Sequence, residues 1–230
     1  MKIKPVILCG GAGTRLWPKQ ENRQAKQFID FGGWTLIQKT LNRIKNPIFD
    51  YPVISTNLKY LKQVKHQLKK NKVKKYKIVL EPAKKNTAPA VLASALIKDI
   101  PKEQSLIFFP ADQLIEKTNI FNTAINKQKK NLNDQNVFIF GIKPTNPSSE
   151  YGYFLTKKIK GNINKVTKFI EKPKQSKAKQ VIKKNGYWNS GMLFLRKNSI
   201  INNFKKYQAR TYKSCLEAVK KAKLKNNIYY

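Results

Sequence analysis

Acidic residues are few in this chain. Twelve Asp and Glu stand against 48 Lys and Arg among 230 residues, a formal charge of +36. Such an excess points first to a polyanion, either nucleic acid or an anionic membrane surface. Arginine is scarce too, only five of the 48. Surfaces built to read nucleic acid favour Arg for its bidentate fork and interleave aromatics for stacking. The lysines here are spread through every expected helix and loop. That favours a compositionally biased, solvated surface and leaves a nucleic-acid or polyanion binder as the alternative. Cysteine is limited to Cys9 and Cys215, which argues against a disulfide framework. No run of about 18 apolar residues is present to cross a bilayer. Met1 to Pro5 lead into the first apolar run without the features of a signal peptide. A cytoplasmic protein with reduced thiols is expected.

Apolar runs alternate with helical patterns through the first two-thirds of the chain. Val6 to Cys9, Val53 to Thr56, Ile78 to Leu80, Leu106 to Phe109 and Val137 to Phe140 have the length and β-branched or aromatic content of buried strands. Between them, Leu36, Thr40, Leu41 and Ile44 keep a helical period behind Thr35-Leu36-Ile37-Gln38, which has the form of a capping box. Leu58 to Leu68 reads as an amphipathic helix. A further helix from about Pro89 buries Leu92, Leu96 and Ile97, and another carries Phe121, Ile125 and Leu132. This alternation predicts an α/β fold with a mostly parallel sheet and helices on both faces. Beyond Lys143 shorter strands are expected around Tyr153 to Leu155, Val166 to Glu171 and Met192 to Leu195. Two closing helices follow, the last with Cys215, Leu216, Val219 and Ala222 on one face.

Ligands of open α/β sheets sit beyond the carboxyl ends of the strands, so the residues that follow the strands carry the information. After Cys9 comes Gly10-Gly11-Ala12-Gly13-Thr14-Arg15. Its glycines allow a phosphate close approach to backbone N–H groups, and Arg15 adds a phosphate-binding fork. Neither the dinucleotide fingerprint nor the P-loop pattern is satisfied, so a plain strand-to-helix turn stands beside that reading. Asp112, closing an apolar strand, is either a helix N-cap or a carboxylate ligand for Mg²⁺. In Glu81-Pro82-Ala83-Lys84-Lys85-Asn86-Thr87-Ala88-Pro89, Thr87 is the expected N-cap, with Asn86 or nearby backbone free to read a base edge. Glu171-Lys172 is an acid–base pair at a strand end, and Trp188-Asn189-Ser190-Gly191 is an amide in a small-residue turn. Either could be ordinary surface.

The order of these pieces is more specific than any one of them. "GGAGTRLWP", "AKQF", "EPAKKNTAPA", "FPADQLI", "FGIKPTNPSSEYGYF", "FIEKP" and "WNSGM" follow one another as in mannose-1-phosphate guanylyltransferases, which the chain resembles from residue 4 to about 196. The resemblance implies one Rossmann-like nucleotidyltransferase domain over residues 1–230. About 1–142 would bind nucleotide and about 143–230 sugar phosphate, with no added C-terminal domain. It implies formation of GDP-mannose and pyrophosphate from GTP and mannose 1-phosphate, with Mg²⁺. Carried over residue by residue, Gly10, Gly11, Gly13, Thr14, Arg15 and Lys26 would address the nucleotide phosphates. Glu81, Asn86 and Thr87 would lie at the nucleotide, with Asn86 near guanine, and Asp112 would hold the metal. Gly152, Glu171, Lys172 and Asn189 would hold the sugar phosphate, Lys172 on its phosphate and Glu171 and Asn189 on hydroxyls. Arg15, Lys26, Asp112 and Lys172 are the catalytic candidates.

That chemistry needs no protein nucleophile and no general base, since a sugar phosphate is already largely dianionic at neutral pH. The chain has one histidine, His66, on an expected surface helix. Alternatives within the class are another base or hexose. Ala25, Lys85 and Gln113 stand where the family usually has proline, arginine and histidine. No Asp follows Asp134, whereas the family places a second metal-binding aspartate beyond the sugar-binding loop. The expectation is a chain cut short within its catalytic domain that binds GTP or GDP-mannose weakly and transfers slowly or not at all. The sequence is also compatible with a homo-oligomer.

Overall fold

The computed structural model describes residues 1–11, 25–83, 86–160 and 163–230. Its strands are β1 (Lys4–Leu8), β2 (Val53–Asn57), β3 (Lys77–Glu81), β4 (Ser105–Pro110), β5 (Val137–Ile142), β6 (Tyr153–Lys160), β7 (Ile163–Ile170), β8 (Tyr187–Arg196), β9 (Leu224–Lys225) and β10 (Ile228–Tyr229). Its α-helices are α1 (Leu36–Arg43), α2 (Leu61–Lys70), α3 (Thr87–Leu96), α4 (Thr118–Gln128), α5 (Gln175–Lys183), α6 (Lys197–Tyr207) and α7 (Ala209–Lys221). They form two compact units, Met1–Phe138 with Leu193–Tyr230, and Ile139–Met192.

In the larger unit β1 pairs in parallel with β2 and β4, and β3 pairs in parallel with β2 and β10. The last residues of β8 run antiparallel to β4, and β9 antiparallel to β10. Side chains alternate between the two faces of the sheet. Val6, Val53, Val79, Leu106 and Phe108 enter a core with Val91, Ala95 and Ile97 at α3. Ile7, Ile54, Ile78, Ile107 and Phe109 point the other way and are wholly buried as well. Burial on both faces is what turned these strands into continuous apolar runs. Each such side chain contributes about 1.5–3 kcal/mol when removed from water. Thr35 and Gln38 form the expected capping box at the start of α1.

The smaller unit has the antiparallel order β7-β6-β8, with β5 also paired to β8. Tyr153, Ala178 and Val181 are its buried centre, with Leu155, Ile170 and Trp188 packed against them.

Several expectations need correction. Residues 143–230 do not stay together: from Leu193 onward the chain packs with the larger unit, where α6 and α7 lie against α3. The Leu58–Leu68 stretch opens with a 3-10 turn, Leu58–Tyr60, before α2. Asn86, not Thr87, occupies the cap position of α3, because Thr87 already has helical geometry while Asn86 turns the chain at φ +59°. Ile97 and Leu132 are buried but lie just past their helices, and Leu96 is only half-buried. Asn189 and its neighbours belong to strand β8 rather than a turn. Pairing of Tyr187 and Trp188 with Phe154 and Tyr153 overrides the turn signal of Asn-Ser-Gly. Strand β10, unforeseen, extends the parallel sheet beyond β3.

Candidate active site

At the carboxyl ends of β1, β2, β3 and β4, backbone and side chains interlock. A Cβ on Gly10 would stand 3.0 Å from Glu81 Oε1, so only glycine lets the loop pass this carboxylate without displacing it. Ser55 Oγ donates to the same oxygen at 2.8 Å. Burial pushes the Glu81 carboxyl above its ordinary range, and the Ser55 hydrogen bond offsets part of that. Thr56 Oγ1 donates to the Cys9 carbonyl at 3.1 Å. Gln27 Nε2 donates to the Cys9 carbonyl at 3.3 Å and the Gly11 carbonyl at 3.0 Å. Thr56 and Gln27 therefore hold the start of the loop and Ser55 holds Glu81 beside it, three side chains that sequence reasoning did not single out. Their signals were faint: two hydroxyls ending an apolar strand, and an amide inside "AKQF".

Lys26 opens a 3-10 turn, Lys26–Phe28, and its ammonium lies 3.3 Å from Asp112 Oδ2. The two side chains are 34% and 37% exposed, so both remain open to a ligand. Asp112 follows β4 with its carboxylate paired to Lys26 rather than capping α4, which begins at Thr118. Cys9 is completely buried and its thiol is pushed up to about 12, so it is no nucleophile at neutral pH. Gly13, Thr14, Arg15 and Lys85 lie outside the described residues. Asn86 and Thr87 stand at the start of α3, and Asn86 has the positive φ of strained backbone that recurs at ligand sites.

Within the smaller unit the four expected residues meet. The Asn189 N–H donates to the Gly152 carbonyl at 2.8 Å, and a Cβ on Gly152 would stand 2.9 Å from Glu171 Oε2. Lys172 Nζ lies 3.7 Å from Glu171 Oε1, both side chains at least half exposed. Lys172 also has a positive φ, +39°. Asn189 Oδ1 accepts from the Gly191 N–H at 3.2 Å, which orients the amide.

No group of three or more His, Cys, Asp or Glu able to hold a metal occurs among the described residues. Asp112 supplies one hard oxygen donor at an open edge. That fits a Mg²⁺ ion whose other ligands are phosphate oxygens and water. No helix among the described residues is long and apolar enough to cross a membrane. A largely apolar cavity of about 530 Å³ also lies in the larger unit, walled by α3, α7 and Tyr229–Tyr230. It reaches Glu81 but neither Lys26 nor Asp112.

A family model described as nucleotidyl transferase matches residues 4–229. The chain is 34% identical over 236 residues to the mannose-1-phosphate guanylyltransferase of Escherichia coli, covering 98% of this chain and 50% of that protein. It is 32% identical over 224 residues to the alginate biosynthesis protein AlgA of Pseudomonas aeruginosa, covering 95% and 47%. The chain thus spans about half the length of the curated relatives it matches. Among solved structures, one described as mannose-1-phosphate geranyltransferase from Thermus thermophilus superposes with a TM-score of 0.83 at 25% identity, covering 99% of this chain and 67% of the other. The mannose-6-phosphate isomerase of Helicobacter pylori gives 0.80 at 29% identity, covering 97% and 81%.

Proposed function

Since this chain belongs to the nucleotidyl transferase family, we propose that it carries out guanylyl transfer from GTP to mannose 1-phosphate, releasing pyrophosphate and forming GDP-mannose. The observation that carries this reading is the gathering of Gly10, Glu81, Lys26 and Asp112 at the carboxyl ends of β1, β3 and β4. The curated relatives named as mannose-1-phosphate guanylyltransferases favour GTP and mannose 1-phosphate over other pairs.

In this reading the Gly10-Gly11 backbone and Lys26 receive the nucleotide phosphates, with Gly13, Thr14 and Arg15 of the same loop. Glu81, Asn86 and Thr87 face the nucleoside. Lys172 receives the phosphate of mannose 1-phosphate, while Glu171, Asn189 and Gly152 receive its hydroxyls. The attacking oxygen already carries negative charge, so the protein's work is alignment and neutralisation of charge on the phosphates. Mg²⁺, held by Asp112, would supply further neutralisation of the triphosphate. We place the reaction in the cytoplasm, where free Cys9 and Cys215 stay reduced.

Pyrophosphate release over a grid of nucleoside triphosphates and sugar 1-phosphates tests the proposal. GTP with mannose 1-phosphate should give the fastest release, whatever the absolute rate. A faster reaction with another pair would reassign base or sugar.

A further inference from the structure

We propose that Thr40 and Arg43 are positioning residues for Asp112, acting from α1 on the two peptide carbonyls that flank it. The pair sits three residues apart, on one face of the helix. Thr40 Oγ1 donates to the Ala111 carbonyl at 3.4 Å, and Arg43 Nη2 donates to the Gln113 carbonyl at 2.8 Å. From the other side, the Ala111 N–H donates to the Leu8 carbonyl at 3.1 Å. Backbone before and after Asp112 is thereby fixed while its carboxylate stays open. Asn122 Nδ2, reaching the Arg43 carbonyl at 3.4 Å, ties the end of α1 to α4.

The cost of this arrangement argues for a purpose. Arg43 is 3% exposed, with its guanidinium carbon 5.5 and 6.0 Å from the ring centroids of Phe109 and Phe121. Its Nε and Nη1 have no hydrogen-bond partner among the described residues. Burying a charge with so few partners weakens a core that methionine would fill without that penalty. What arginine adds is a donor that reaches the Gln113 carbonyl. Asp112 lies two residues past the end of β4, where a freed peptide would let the carboxylate swing, and small misplacements of such groups are expensive.

This inference rests on the proposed placing of a nucleotide-bound cation at Asp112. The test measures the equilibrium affinity of the chain for GTP with and without Mn²⁺, and takes the ratio of the two. Asp112→Asn should bring that ratio close to one. Arg43→Met and Thr40→Val should each lower the ratio about ten-fold, as loss of a group supporting a metal ligand does, while metal-free GTP affinity stays unchanged. Arg43→Lys, which keeps one donor, should recover part of the loss. Thr40→Val deletes a single hydroxyl at constant shape, so it carries the test even where Arg43→Met fails to fold. An unchanged ratio in Thr40→Val and Arg43→Lys, with Asp112→Asn still lowering it, overturns the positioning role alone. An unchanged ratio in Asp112→Asn removes the cation from Asp112, and both readings fall.

Discussion

Glu81 is a carboxylate placed where ionisation is costly. Its folded-state pKa lies above the ordinary 4.5, so between those two values the folded protein keeps a proton that the unfolded chain has released. Stability from this group is present at low pH and falls as pH rises through the folded value. Glu81→Gln should therefore gain stability on the parent as pH is raised from about 4 to about 7, measured as the difference in urea midpoints at each pH. A difference that does not change with pH would remove burial as its cause. Lys26 and Lys172 are the other telling residues. Under the proposed function, alanine at either should lower turnover by about a hundred- to a thousand-fold, the scale for one donor aimed at developing charge. The exposed Lys70 should tolerate alanine without loss, and equal rates for the parent and Lys172→Ala would strike that residue from the site.

Helix ends show how far local sequence reached. The Thr35–Gln38 box could be read directly, because its reciprocal hydrogen bonds depend only on residues three apart. At the other end of α2 the chain closes with Lys72 at φ +56°, its N–H donating to the Lys69 carbonyl at 2.9 Å and that of Val73 to the Leu68 carbonyl at 3.0 Å. Glycine is the usual residue there, and a lysine side chain gives no sign of such a conformation. Helix α5 closes in the same way with Asn185 at φ +55°. Lys72→Gly should raise the unfolding free energy by about 1 kcal/mol, since a left-handed lysine costs roughly 1–2 kcal/mol. A loss of stability would show that the lysine side chain outweighs the backbone strain. Strand β10 was illegible for another reason. Ile228–Tyr229 is too short to signal a strand, and its pairing with β3 is a contact across most of the chain.

Across the whole molecule, the fold is that of the nucleotide-diphospho-sugar transferases, and strand–helix alternation with ordered motifs was enough to expect it. The side chains that hold the glycine loop, Glu81 and Asp112 in place were not visible. Gln27, Ser55, Thr56, Thr40 and Arg43 act on backbone carbonyls or on a carboxylate remote in sequence, and such contacts leave no periodic signal. The charge of +36 belongs to this scale too. Like charges repel in the compact state, so raising NaCl from about 0.01 M to about 0.15 M, which shortens screening from about 30 Å to about 8 Å, should raise the thermal midpoint. A flat response would mean that the lysines repel little in the folded chain. The same screening separates surface charge from a substrate site, because lysine-only polyanion binding collapses with salt. The most direct test of the proposed base and sugar is competition binding at physiological salt, with GDP-mannose set against GDP-glucose and UDP-glucose. The account predicts that GDP-mannose binds most tightly and that Glu171→Ala, at a residue proposed to receive sugar hydroxyls, removes its advantage over GDP-glucose. Equal binding of all three, or displacement of each by a short duplex DNA, would contradict it.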